Sequence, residues 1–386
     1  MEPQIYDVII IGAGPSGLST ALHLHKYRPS ITSSLLVLDK AAFPRDKLCG
    51  GGLTSDAEVL LNDLGLDINE LPNTTSENIL FRSGDFEFAF SNSNQHTLRI
   101  IRRFDFDLWL NKKAHQRGIT ILEEVAVIDI HPTENFVQVF TQTMVFKAKI
   151  VVLAEGSNGT LTKKVFPHRK VKKARLIEAI SSSKNDRVRS DSALDFSPIQ
   201  DGLDGYVWDF PSPDSDGKNK CVGVFDANTH HKGSRSLSNY LFSTYSALSN
   251  HIKREEINGH PILLFDPKHK NQAGQILAVG DCSGADPLFG EGISFALGSG
   301  HYAALEIAEA VKKGDYELKN YQQRIIDSPM GRSLFIRWAI SNILFPLRWK
   351  ICQFFIWKTL NGIVRYLATN HILGWAKKVK SPIVGL

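Results

Sequence analysis

Residues 6–22 read YDVIIIGAGPSGLSTAL. The run from Tyr6 to Ile11 is continuous and apolar, as in a parallel strand buried on both faces. GAGPSG follows at once, and then a helical pattern with Leu18, Ala21 and Leu22 on one face. Three spaced glycines alone are a weak signal, but a strand before them and a helix after them give the spacing a mechanism. Gly12 permits the tight turn, Gly14 lets backbone approach a pyrophosphate, and Gly17 lets helix and strand pack closely. Pro15 and Ser16 stand in the first helical turn, where free N–H groups and the positive dipole end favour an anion. Residues 35–38 (LLVL) make a second buried strand that ends at Asp39 and Lys40. Asp39 is placed to accept both ribose hydroxyls of an adenosine. Its charge disfavours a 2′-phosphate, so the expected ligand is FAD or NAD rather than NADP.

The rest of the chain is compatible with such a domain. Its 386 residues can bury one large or two ordinary cores, and 42% hydrophobic with 22% charged residues is ordinary for a soluble protein. Cys49, Cys221, Cys282 and Cys352 are scattered, with no CxxC spacing. That points to a reducing, cytoplasmic setting, with neither a disulfide framework nor a metal site expected. The N-terminus has no basic stretch before its apolar run, so no signal peptide is expected. No stretch of eighteen residues is free of charge, which argues against a conventional membrane span. No nucleic-acid partner is expected.

Buried strands recur at residues 150–154 and 275–280, and residues 291–313 form a long helix rich in small side chains. Helix is also expected over residues 104–118, closed by glycine. Residues 86–91 alternate as in a half-buried antiparallel strand, and 205–210 and 221–225 are further strands. An exposed turn is expected over residues 212–219. The expected class is α/β. It comprises a Rossmann-type FAD-binding domain, an inserted β-rich (α+β) substrate domain and a helical C-terminal tail. The first is discontinuous over residues 1–75, 100–170 and 266–327; the second takes residues 76–99 and 171–265, and the tail residues 328–386.

A second signal separates FAD from NAD. QILAVGDCSGADPLFGEGISFALGSG, residues 275–300, carries Gly280–Asp281 at a strand end, then Gly290, Gly292 and Ile293 at a helix start. This is similar to the GD motif of FAD-dependent oxidoreductases of the hydroxylase superfamily. The resemblance implies that Asp281 bonds the ribityl chain and that amides near Gly290–Gly292 meet the flavin ring. Arg103 heads an RxxFDxxL pattern (Arg103, Phe106, Asp107, Leu110), whose arginine contacts FAD in that superfamily. VVLAEGSNGT, residues 151–160, resembles a further motif but has Glu155 where aspartate is usual.

FPRDKLCGGG (residues 43–52) and GYVWDFP (residues 205–211) resemble the PxxKxCGGG and YxWxFP segments of the geranylgeranyl reductase family. Over roughly residues 5–315 the resemblance implies FAD-dependent reduction of isolated carbon–carbon double bonds in isoprenoid chains. Cys49, Gly50 and Gly51 would lie near the isoalloxazine, with Tyr206 and Trp208 beside the reacting bond. Tyr206, Trp208 and Phe210 alternate on one strand face and could line a tunnel for the chain. Cys49 as a packing residue and the aromatics as a core stripe are the bland alternatives. A flavin monooxygenase or halogenase is the competing function, since VWDFP partly echoes a WxWxIP segment. A prenyl-protein escort without FAD is a third, disfavoured by the intact motifs. With one dinucleotide motif, NAD(P)H or ferredoxin would serve as a transient electron donor.

Residues 328–386 contain no Asp or Glu and nine basic residues, more than the net +5 of the whole chain, so the body before them is net acidic. Arg337, Arg348, Lys350, Lys358 and Arg365 punctuate runs holding Trp338, Trp349, Trp357 and Trp375. Arg332, Lys377, Lys378 and Lys380 complete the set, and Pro346 should break any helix. Amphipathic helices resting on an anionic membrane surface are expected. Capping of the substrate domain is the alternative.

Overall fold

The protein is described by a computed structural model covering residues 4–91, 96–181, 191–215, 218–230, 236–245, 252–367 and 374–379. Lys380 of the tail and residues 216–217 of the expected turn lie outside the described residues. The strand Ile5–Ile11 is the centre of the first sheet. It pairs in parallel with Val145–Leu153 on one side and Leu35–Leu38 on the other. Ile276–Ala278 and Thr120–Leu122 extend the parallel row at either end. The apolar run is continuous because both faces are covered. Val8 and Ile10 enter the core beneath the helices, while Ile9 and Ile11 enter a second core formed with the antiparallel strands Val127–Pro132 and Val137–Thr141.

Helix Pro15–Tyr27 begins with proline at its first position, where no amide hydrogen is needed. Helix Ile293–Lys313 runs beside it and stops at Gly314, which is left-handed at φ 69°. The two approach closely at Gly300, where an added Cβ would lie 2.7 Å from Ser16 O and Thr20 N.

A second sheet of seven strands runs in the order Asn258–Leu263, Lys173–Ser181, Lys218–Asp226, Gly205–Ser215, Ser192–Asp195, Asn78–Ser83, Phe86–Ser91. All neighbours are antiparallel except Ser192–Asp195 with Asn78–Ser83. Strand Gly205–Ser215 has two buried faces. Tyr206 and Trp208 join an aromatic core, whereas Val207 packs against Leu237 and Leu241. A small antiparallel sheet (Gly52–Leu53, Leu98–Ile101, Asn73–Ser76) connects the two large ones.

The tail is built into the body. Helix Pro329–Leu344 is capped by the Ser328 hydroxyl, which accepts from Gly331 N, and it ends just before Pro346 as expected. Arg337, expected among basic residues that face an anionic lipid surface, is fully buried. Its guanidinium reaches Asp286 at 2.5 Å and Glu291 at 2.7 Å. Trp357 lies in the aromatic core of the second sheet, and Trp375 stacks on Phe295 at 5.4 Å. The Asp56 carboxylate accepts Gly374 N and Ala376 N. Of the four tail tryptophans, only Trp349 is exposed: Trp357 and Trp375 are buried in two separate cores, and Trp338 is half-buried against the second of these. Among the described residues no helix is long and apolar enough to cross a membrane.

Burial works against the Arg337 charge, but Asp286 and Glu291 more than offset it and hold the proton tightly. Arg337→Ala would strand two buried carboxylates, so a loss of about 3–5 kcal/mol is expected. Denaturant unfolding measures it, and limited proteolysis should show earlier cleavage of the tail. An unchanged midpoint would mean that the tail is held by apolar contact alone.

Candidate active site

One cavity of about 570 Å³ collects nearly every residue singled out by the sequence. Its nucleotide end is lined by Gly12, Gly14, Pro15, Ser16, Asp39, Lys40 and Glu155–Gly159. Gly12 sits at φ 110°, with no room for a Cβ against Ala154 O. Gly17 does not line the cavity. It packs against Gly12 O, where any side chain would collide, so its part is close helix–strand contact. Asp39 is pinned by Ala13 N at 2.6 Å and Ala41 N at 2.9 Å. Helix Pro15–Tyr27 has no side-chain cap, and neither does Ile293–Lys313 at Gly292. Two open helix N-termini thus face one cavity, with a carboxylate at the end of the second strand. That donor set, and a cradle that a Cβ would fill, fit a dinucleotide.

The middle of the cavity is built by Cys49–Gly52 with Asp281, Gly290, Glu291, Gly292 and Ile293 opposite. Ser157 Oγ donates to Asp281 at 3.3 Å. A Cβ on Gly50 would lie 3.3 Å from Trp208 Nε1, and one on Gly51, at φ 73°, would overlap Ile101 O. Gly51 is therefore required where the segment passes the small sheet, and Gly50 is tight against the aromatic strand. Arg103 is clamped by Asp107 through two bonds of 2.7 Å, and Arg45 meets the same carboxylate at 3.2 Å. Asp107 keeps the Arg103 charge against its burial.

Beyond Gly50 the cavity becomes apolar. Tyr206, Trp208 and Phe210 form one wall, and Ile79, Phe81, Phe90, Leu194 and Phe289 complete it. The Tyr206 hydroxyl donates to Phe289 O, which fixes the ring against the flavin-side turn. Tyr206 is both core and cavity wall, since its ring packs on Phe196 and on Phe225, itself a cavity residue.

No family model matches the chain. It is 28% identical to an uncharacterized protein of Methanosarcina barkeri (strain Fusaro / DSM 804), over 83% of this chain and 79% of that one. It is 25% identical to digeranylgeranylglycerophospholipid reductase 2 of Methanosphaera stadtmanae, over 83% and 82%. It is also 25% identical to a 1H-pyrrole-2-carbonyl-[peptidyl-carrier protein] brominase of Pseudoalteromonas luteoviolacea, over 84% and 82%. Among solved structures, a geranylgeranyl bacteriochlorophyll reductase-like protein of Thermoplasma acidophilum shares the fold at TM-score 0.78 and 18% identity, over 97% and 98% of the two chains. The halogenase PltM shares it at TM-score 0.73 and 16% identity, over 97% and 82%. The chain thus resembles both the reductases and the halogenases, and it shares their fold. Members of both kinds are oxidoreductases, and the chain is an enzyme of that class.

Glu155, the departure from the superfamily motif, has a local explanation. Its longer side chain accepts Thr162 N at 2.8 Å, Thr162 Oγ1 at 2.7 Å and Leu161 N at 3.2 Å, closing the start of helix Thr160–Val165. The sequence reading missed Lys47 and His260, which pair across the cavity, and Glu178. Glu178 lies on strand Lys173–Ser181, is 6% exposed, and accepts Cys49 N at 2.9 Å. Its second oxygen has no partner among the described residues. Burial pushes its carboxyl up to about 7 and also raises the Cys49 thiol, and burial lowers the Lys47 ammonium. An acidic residue at an inward strand position was the one available signal. Three ligand atoms that could hold a metal meet elsewhere, at His23, Asp63 and His301, outside the cavity. There Lys26 Nζ is 2.6 Å from the Asp63 carboxylate and already balances it.

Two outcomes follow from this geometry. Asp39→Ala and Asp281→Ala should each weaken FAD by roughly 1.5–3 kcal/mol. Flavin absorbance of the purified variants and titration of the apoproteins measure this; full occupancy in both would refute the assignment. A carboxyl raised by folding contributes stability below its unfolded value of 4.5, and loses it as pH climbs through about 7. Glu178→Gln can still accept from Cys49 N and cannot ionise. The melting temperature of the wild type should therefore fall relative to E178Q across that window. Parallel curves would mean that Glu178 is ionised throughout.

Proposed function

We propose that the protein is an FAD-dependent reductase that saturates carbon–carbon double bonds of an isoprenoid chain. The observation that carries this reading is the apolar, aromatic-walled arm that opens directly off the Cys49–Gly52 segment. A long hydrocarbon would lie there with one double bond beside Gly50. FAD, held by the Gly12–Gly17 turn, Asp39, Arg103, Asp281 and the amides at Gly290–Ile293, would supply a hydride from its reduced ring.

The protein's own part is to position the chain, exclude water and hold a proton. Trp208 lies over Gly50 and Tyr206 is locked to Phe289 O, so the wall is rigid where the bond must be aligned. Saturation adds one hydride and one proton to adjacent carbons. Cys49 Sγ, a thiol that burial raises, with the Glu178 carboxyl behind it pushed up to about 7, is the store for that proton. Glu178 touches Cys49 through the backbone amide and acts as a positioning residue for it. The electron donor in this reading is NAD(P)H or ferredoxin, binding transiently.

A halogenase or monooxygenase is the second reading. The brominase relative and the buried Lys47 amine at the cavity's middle favour it. The two differ in their need for dioxygen. Under nitrogen, prereduced holoprotein mixed with geranylgeranyl-type substrates should be reoxidised and yield a product heavier by two hydrogens per bond. Turnover only with dioxygen, and a product bearing oxygen or halogen, would establish the second reading instead.

A further inference from the structure

The tail leaves an apolar face open next to the cavity's hydrocarbon end. Helix Pro329–Leu344 ends at the body surface, and the short helices Lys350–Phe354 and Asn361–Leu367 cross the edge of the second sheet. Their inward side chains are spoken for: Trp357 is buried and the Gln353 amide donates to Leu347 O. Several of their outward side chains are large and apolar. Ile343 is 63% exposed, Trp349 62%, Ile351 77%, Phe355 53% and Ile363 56%. Large apolar side chains this exposed, gathered within residues 343–363, are more than the scattered singles of an ordinary solvated face.

Charge complementarity indicates what covers it. Arg348, Lys350, Lys358 and Arg365 are all exposed on the same segments, and residues 328–386 contain no acid. Aromatic and aliphatic side chains flanked by basic ones, with no competing carboxylate, suit the headgroup–acyl boundary of an anionic bilayer. A second copy of this chain would bury the same side chains, but it would set one basic rim against another.

The patch also connects inward. Phe354 meets Phe86 edge-on at 5.3 Å, and the Arg365 guanidinium lies over Phe88 at 4.9 Å. Phe86, Phe88 and Phe90 share one face of the edge strand Phe86–Ser91, and Phe90 lines the cavity. Phe88 stacks on Phe81, another cavity residue, at 5.1 Å. Aromatic contacts therefore tie the tail to the strand whose Phe90 lines the apolar arm.

We infer that the tail rests on an anionic lipid surface and that the Phe86–Phe88–Phe90 row is where a lipid-borne chain passes from bilayer to cavity. The second half of this inference rests on the proposed reductase reading; the first does not. Lipid contact is read by flotation of the full chain with phosphatidylcholine vesicles, with and without added phosphatidylserine. The wild type should float with the anionic vesicles, and less so at high salt. The double variant Trp349→Ser/Ile351→Ser should bind on the order of a hundredfold more weakly, since it loses two exposed apolar side chains. Its flavin absorbance and melting temperature should be unchanged, because both residues lie outside the core. Entry is read by turnover. The double variant should lose rate on vesicle-embedded geranylgeranyl substrate and keep it on a short, water-dispersed prenyl substrate.

A wild type that stays with the soluble fraction in both vesicle types overturns the lipid surface. So does a double variant that floats like the wild type, or a patch whose only loss on mutation is a dimer seen by gel filtration. Equal loss on dispersed and embedded substrate overturns the entry path. Flotation without turnover on either substrate leaves the lipid surface standing and removes the reductase reading, and with it the entry path.

Discussion

Four segments meet near the carboxyl ends of strands Ile5–Ile11 and Val145–Leu153 with no space for a single added Cβ between them. Gly12 lies against Ala154, Gly17 against Gly12, Gly280 against Ser16, and Gly300 against Ser16 and Thr20. This close approach brings helices Pro15–Tyr27 and Ile293–Lys313 side by side with both N-termini open on one cavity. Every other feature of the site is measured from there. Were either helix displaced by the thickness of a methyl group, its free amides would no longer face the same ligand. The glycines matter as absences of side chain more than as flexible joints.

The second organising contact is electrostatic. Arg337, carried by the tail, is sealed among Asp286 and Glu291, which belong to the turn that begins helix Ile293–Lys313. Thr54 Oγ1 donates to the same Glu291 at 2.7 Å, which ties in the segment after Gly52. A buried ion cluster of this kind adds little net stability relative to apolar residues of equal volume, but losing one member leaves the others uncompensated. It therefore makes the flavin-side turn conditional on the tail being docked. A stretch that looks like a peripheral appendage is, through one arginine, part of the active-site scaffold.

Between these two anchors the chemistry is set by a gradient of polarity. The nucleotide end is lined by backbone amides, Asp39 and Ser157, the middle by Arg103, Lys47 and Asp281, and the far arm by aromatic rings. Cys49 stands where the gradient turns, with Glu178 behind it on the Cys49 amide. A carboxyl held near neutrality by burial can keep a proton at the boundary of a dry arm, which neither a solvated nor a tightly paired carboxylate could do. The Tyr206–Phe289 bond and the Trp208–Gly50 contact fix the first rings of that arm relative to the middle.

The local signals in the chain were sufficient for the first domain. A both-face-buried strand must be apolar throughout, a turn without Cβ space must be glycine, and a ribose-accepting carboxylate must end the next strand. Each of those demands acts over a few neighbouring residues, so it is written in consecutive letters around Gly12, Asp39 and Gly280–Gly292. The alternation of Tyr206, Trp208 and Phe210 likewise announced one shared face. What only the tertiary structure decided depends on residues far apart in the chain. Glu178 reaches Cys49 across 129 positions. The tail's charges were equally uninterpretable in sequence, where Arg337 and Arg348 look alike. One is sealed against Asp286 and the other meets solvent, because burial is a property of what packs on a side chain and not of the side chain itself.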